Sequence, residues 1–98
     1  MSKCVAHIVD SNDIRIELLS QEGAAEGPDT NLDPFSALSV RGAKHIGFLV
    51  DNVDEVWKQL NSLGAELLSE PTVVEPAGVK NCFVRDPDGT MVEFDQWL

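Results

Sequence analysis

The sequence has no apolar run near the roughly 18 residues of a membrane span, and its first residues show no leader-peptide pattern. Both absences lead us to expect a soluble, cytoplasmic domain. Basic residues are scarce: 7 Lys and Arg stand against 17 Asp and Glu, for a formal charge of −10. The chain therefore lacks the basic patches that a nucleic-acid backbone requires. The balance is compatible with a cationic ligand, although a solvated acidic surface is its commoner meaning. Cysteine is scarce as well. Cys4 and Cys82 are the 2 present, and without an export signal they read as reduced core thiols rather than a disulfide. A hydrophobic fraction of 43% over 98 residues argues against wholesale disorder and suits one small domain.

Two segments resemble copies of one β-hairpin. The first is Lys3-Cys4-Val5-Ala6-His7-Ile8-Val9-Asp10, a turn at Ser11-Asn12, then Asp13-Ile14-Arg15-Ile16-Glu17-Leu18. The second is Asn81-Cys82-Phe83-Val84-Arg85-Asp86, a turn at Pro87-Asp88-Gly89, then Thr90-Met91-Val92-Glu93-Phe94. Each copy closes on a glutamate within an apolar strand. A strand at 45–50, a helix at 53–63 and strand pieces broken at Pro71 precede the second copy, which gives the order β-α-β-β-β. Nothing comparable precedes the first copy, so the chain reads as starting inside a repeated unit.

Val53, Val56, Trp57, Leu60 and Leu63 form one apolar stripe at helical spacing. Asn52 with Glu55 suits the helix start, and Gly64 supplies a left-handed stop. Between the copies, residues 21–31 read as a polar loop, and Asp33-Pro34 opens a short capped helix before Gly42. His7 reads as an exposed or locally bonded histidine. Trp57 is expected in the core, and Trp97 over the core or an interface.

Strand alternation then assigns faces. Val92 and Phe94 suit the helix-covered side, which leaves Met91, Glu93 and Asp95 on the other. Likewise Ile46, Phe48 and Val50 are expected under the helix, with His45, Gly47 and Leu49 on the face of Glu93. Glu17 shares a face with Arg15 and Leu19. One histidine and two carboxylates could thus meet on an open sheet face, a donor set that suits zinc, nickel, cobalt, manganese or iron(II). Alternating polar residues also mark the solvated face of any half-buried sheet, so alternation alone leaves that reading open.

The segment Arg41-Gly42-Ala43-Lys44-His45-Ile46-Gly47-Phe48-Leu49-Val50-Asp51-Asn52-Val53 resembles the opening of the second module of vicinal oxygen chelate proteins. Asp86-Pro87-Asp88-Gly89-Thr90-Met91-Val92-Glu93-Phe94 resembles the closing hairpin of that module, and Ile14-Arg15-Ile16-Glu17-Leu18-Leu19 the end of the first. The superfamily includes glyoxalase I, methylmalonyl-CoA epimerase, extradiol dioxygenases, fosfomycin-modifying transferases and bleomycin-binding proteins.

The resemblance implies an α+β fold. It would have a partial first module at 1–20, a linker with a short helix at 21–42 and a complete βαβββ module at 43–98. It further implies a divalent metal held by Glu17, His45 and Glu93, with Glu17 or Glu93 also acting as general base. The function implied is a metal-dependent lyase or isomerase working on a small oxygen-chelating substrate through an enediolate-like intermediate. A fourth ligand would come from a strand that the first module lacks. Three routes would account for this: an incomplete or internally initiated gene product, a partner chain, or a homodimer with His45 and Glu93 from each of two chains, which we favour. The competing expectations are a non-catalytic drug- or ligand-binding protein of the bleomycin resistance type and a degenerate structural subunit.

Overall fold

The computed structural model describes residues 4–11, 14–25, 33–39 and 41–98. Strand β1 (Cys4–Ser11) and strand β2 (Ile14–Gln21) pair antiparallel, with Ile8 opposite Glu17 and Ser11 opposite Ile14. The linking residues 12–13, at the first expected turn, lie outside the described residues, as do 26–32 of the expected polar loop. The ribbon forms a sheet of its own. A short helix follows, α1 (Pro34–Ala37). Asp33 caps it: its Oδ1 accepts from the Ser36 backbone N–H at 3.0 Å.

The rest of the chain builds a mixed sheet with a helix on one face, an α+β arrangement. It comprises β3 (His45–Leu49), α2 (Val53–Ser62), β4 (Glu66–Leu67), β5 (Thr72–Val74), β6 (Val79–Arg85) and β7 (Met91–Trp97). The strand order is β3-β7-β6-β4, with β5 also on β6. The outer partner of β6 is thus one strand broken in two around Pro71, a residue that cannot donate to a ladder. Beyond β5, residues Glu75–Ala77 form one 3-10 turn that ends in the left-handed Gly78 at φ 67°.

Helix α2 forms where its signals require. Asn52 Oδ1 accepts from the Glu55 N–H at 3.1 Å, and Gly64 turns the chain away at φ 78°. A second cap comes from far along the chain: Gln96 Oε1 accepts from the Val53 N–H at 2.9 Å. The helix N-terminus is thereby tied to β7 by a side chain as well as by packing.

The core is small and lies mainly between α2 and the β6–β7 pair. Val53 and Cys82 are fully buried, and Val84 is nearly so. Burying one such valine contributes about 1.5–3 kcal/mol. Phe48 stacks on Phe94 at 5.7 Å, as their places side by side in β3 and β7 allow. Two residues of the expected apolar set depart from it. Ile46 is 51% exposed and Leu63 80% exposed. The helix packs on β6, β7 and β4, so the edge strand β3 is left with little cover at Ile46. Leu63 is the C-terminal cap of α2, beyond its last helical residue.

The β6–β7 turn is held by one side chain. Asp86 Oδ1 accepts from the N–H groups of Asp88 at 2.9 Å and Thr90 at 2.8 Å, and Gly89 takes φ 88°. That turn sets the register that places Phe83 opposite Glu93 and Asn81 opposite Asp95.

Candidate active site

The parallel pairing of β3 with β7 sets His45 beside Met91 and Gly47 beside Glu93. His45, Glu93 and Asp95 therefore share the sheet face away from α2, as strand alternation requires. His45 Nε2 lies 3.3 Å from Glu93 Oε2, with the side chains 26% and 20% exposed. The rings of Phe83 and His45 meet in a T-shaped pair at a centroid distance of 5.3 Å and an angle of 85°. Asn81 donates from Nδ2 to Glu93 Oε1 at 3.1 Å. Each oxygen of the carboxylate thus has its own neighbour. Gly47 leaves open the space over the carboxylates: a Cβ there would lie 3.5 Å from Glu93 Oε2 and 3.8 Å from Asp95 Oδ2.

The electrostatics follow from this crowding. Burial pushes the Glu93 carboxyl above the usual carboxylate range, and the neighbouring Asp95 pushes it further. His45 and the Asn81 hydrogen bond pull in the opposite direction, whereas a hydrogen bond to Asp95, which needs a proton on one of the two carboxyls, adds to the rise. Among the described residues His45 Nδ1 is buried without a hydrogen-bond partner, an unusual state for a ring nitrogen.

These groups form the floor of a cavity of about 600 Å³. Its walls include Leu68, Val74 and Val79 from the broken edge of the sheet and Trp97 from β7, with Pro34 and Leu38 near its rim. The helix at Asp33-Pro34, expected from sequence as part of a linker, contributes to this wall.

The expected residues are distributed as follows. His45 and Glu93 come together. Glu17 lies in β2, in the separate two-stranded sheet, and its side chain lies outside what the structure describes, as do those of Cys4 and His7. Asn81, Phe83 and Asp95 join the site without having been singled out from sequence. Asp95 and Glu93 were already on one face by alternation. Asn81 was hidden because only the β6–β7 register brings it opposite Asp95.

Two donors bound to one ion at about 2.1 Å lie about 3.0–3.4 Å apart for octahedral or tetrahedral angles. The His45–Glu93 separation of 3.3 Å falls in that range, and imidazole nitrogen with carboxylate oxygen is a suitable donor set. The pair therefore fits as two ligands of a divalent ion. Among the described residues no group of three or more His, Cys, Asp and Glu is placed to hold a metal. The described chain thus offers part of a coordination set.

A mixed sheet with a helix on one face and this pair on the other is the frame on which the class rests. The chain belongs to the glyoxalase/bleomycin resistance protein/dioxygenase superfamily, whose family model matches residues 2–94. In fold it is similar to a glyoxalase family protein from Bacillus cereus, with a TM-score of 0.74 and 23% identity over 99% of this chain and 64% of that one. A glyoxalase family protein from Enterococcus faecalis matches with a TM-score of 0.68 and 23% identity, over 94% and 67% of the two chains. An integron cassette protein from the mobile metagenome of V. cholerae matches with a TM-score of 0.60 and 21% identity, over 99% and 77%. The chain spans about two thirds of the length of the two glyoxalase family structures, 64% and 67%. No curated protein matches it in sequence. Among the described residues no helix is long and apolar enough to cross a membrane.

Proposed function

We propose that this chain is a metal-dependent lyase or isomerase of the glyoxalase type, acting on a small substrate that offers neighbouring oxygens. The observation that carries the reading is the 3.3 Å approach of His45 Nε2 to Glu93 Oε2 on the floor of the cavity. When bound, a divalent ion polarises substrate oxygens and stabilises negative charge that develops on them. The other tasks belong to the chain. Asn81 fixes the plane of the Glu93 carboxylate, and Phe83 limits rotation of the imidazole. The apolar wall excludes water from the substrate. Glu93, made more basic by burial and by Asp95, is suited to take a proton from a carbon next to a substrate carbonyl.

A complete set needs more protein ligands than His45 and Glu93. We propose a homodimer in which two copies of the pair meet. The edge strand β3 pairs only with β7 among the described residues, and its Ile46 and Leu49 are 51% and 62% exposed. Such an edge favours pairing with another chain. Glu17, at the matching place in the first hairpin, is the alternative source of a further carboxylate.

Metal titration with light-scattering mass measurement tests the reading. We expect about one zinc, nickel, cobalt or manganese ion per dimer, at least tenfold weaker binding in His45→Ala, and a thermal shift on metal addition. Loss of metal in Glu17→Ala moves the completing ligand to β2. No uptake of any of these ions, with stabilisation by bulky organic cations only, overturns the enzyme in favour of a binding protein.

A further inference from the structure

The cavity also carries information on what it admits. Its floor presents two carboxylates, Glu93 and Asp95, and its walls are mostly apolar. Among the described residues no lysine or arginine lines it. The nearest candidate in sequence, Lys80, sits beside Asn81 but alternates to the other face, where its Nζ lies 2.7 Å from Asp54 Oδ2 of α2. Lys58 lies 3.5 Å from Glu55, and Arg85 3.6 Å from Glu66. Lys80 and Lys58 are thus engaged away from the cavity, in a chain of formal charge −10.

Two large side chains at the cavity remain in water: Trp97 is 66% and Leu38 67% exposed. Exposed apolar groups gathered round a concave site point to a ligand that covers them. From the signs of charge and the apolar walls we infer that the cavity selects apolar-bodied ligands that are neutral or cationic, and rejects those bearing carboxylate, phosphate or sulfonate groups. This rests on the cavity being the substrate site proposed above.

Metal occupancy does not reverse the sign. Were a divalent ion held by two copies of the His45–Glu93 pair, the two Glu93 carboxylates would offset its charge and leave Asp95 to set the sign on this face. An acidic group entering this space would meet like charge, with no lysine or arginine among the described lining residues to offset it. A substrate that carries a free carboxylate, phosphate or sulfonate is therefore outside the accepted class.

The test uses two dyes with one apolar body, N-phenyl-1-naphthylamine and its 8-sulfonate, with binding followed by fluorescence on the full chain. The neutral dye is expected to bind at least about tenfold more tightly than the sulfonate, with or without zinc. Trp97→Ala should weaken the neutral dye several-fold. Asp95→Asn should narrow the preference, and about 0.5 M sodium chloride should narrow it in the unaltered protein, so the sign of charge is tested without any substitution. Equal or tighter binding of the sulfonate overturns the inference. So does a preference that neither Asp95→Asn nor salt changes, or neutral-dye binding that Trp97→Ala leaves untouched. The metal titration stands apart: dye selectivity without metal uptake sinks the enzyme reading alone, and metal uptake without dye selectivity sinks this inference alone.

Discussion

The two hairpins share a local pattern and differ in what surrounds it. Glu17 and Glu93 each sit in a strand of a tight antiparallel pair, opposite Ile8 and Phe83 respectively. Glu93 also has β3 on its other side, bringing Gly47 alongside and His45 within 3.3 Å. The described residues give β2 no strand beyond β1. A glutamate in an apolar strand is therefore common to both, whereas a site arises only where a third strand and a cover are added. The same holds for stability. A two-stranded ribbon buries little and is marginal in water, but the β6–β7 pair is sealed by α2.

The largest effect should come from placing a charge in each region. Val53→Asp buries a carboxylate where the native side chain has no exposure, at a cost of several kcal/mol, comparable with the whole stability of a small domain. Circular dichroism should find it unfolded or molten. Leu18→Asp, at a position already 57% exposed, should shift Tm by no more than about 2 °C. Equal losses in the two variants would mean that the ribbon is as integral to the core as α2.

Hydrogen exchange sharpens the same contrast without altering a residue. Amides of β6 and β7, paired along the full length of both strands, should be protected at least about a hundredfold more than those of β1 and β2. Matching protection would show the ribbon docked in solution. A tighter ribbon in the presence of zinc would place it among the elements that metal binding orders.

Much of this contrast was legible in sequence where the determinants are local. Alternation at 91–95 assigned the face of Glu93, and the Asn52–Glu55 spacing located the start of α2. What escaped depends on register and on edges. Ile46 has the pattern of a covered residue but lies in an edge strand that α2 does not cap, and Asn81 enters the site only through its pairing opposite Asp95. The cavity wall joins residues from α1, β5, β6 and β7, and no short window contains such an assembly. That the hairpins differ in what precedes them was legible, but not which strand would flank Glu93, because a strand's own residues do not name its neighbours.

A smaller effect concerns Asn81, the neighbour that orients Glu93. Asn81→Ala removes the 3.1 Å donor to Glu93 Oε1 and leaves the imidazole and carboxylate in place. Metal affinity should fall about tenfold, the size seen for groups that hold a ligand in position, while Tm of the metal-free protein moves little. An Asn81→Ala protein that binds metal as before would mean that packing alone orients Glu93.

The smallest effect at neutral pH concerns Cys82, the counterpart of Cys4 in the repeat. Its thiol is fully buried in the interface beneath α2. Burial first, and then Asp95 and Asp54, hold its pKa above the usual thiol range. A folded-state pKa above the unfolded one means that the contribution to stability is whole below the unfolded value. It is lost as pH rises toward the folded one, at up to about 1.4 kcal/mol per pH unit. At pH 7 Cys82→Ala should therefore cost only the small cavity it leaves. In urea unfolding at about pH 10 the gap between the two proteins should narrow, because the alanine variant has no thiol to ionise on unfolding. A gap that stays constant with pH would mean that Cys82 ionises as readily in the folded chain as in the unfolded one, and that the helix-covered hairpin is more open to water than its packing implies.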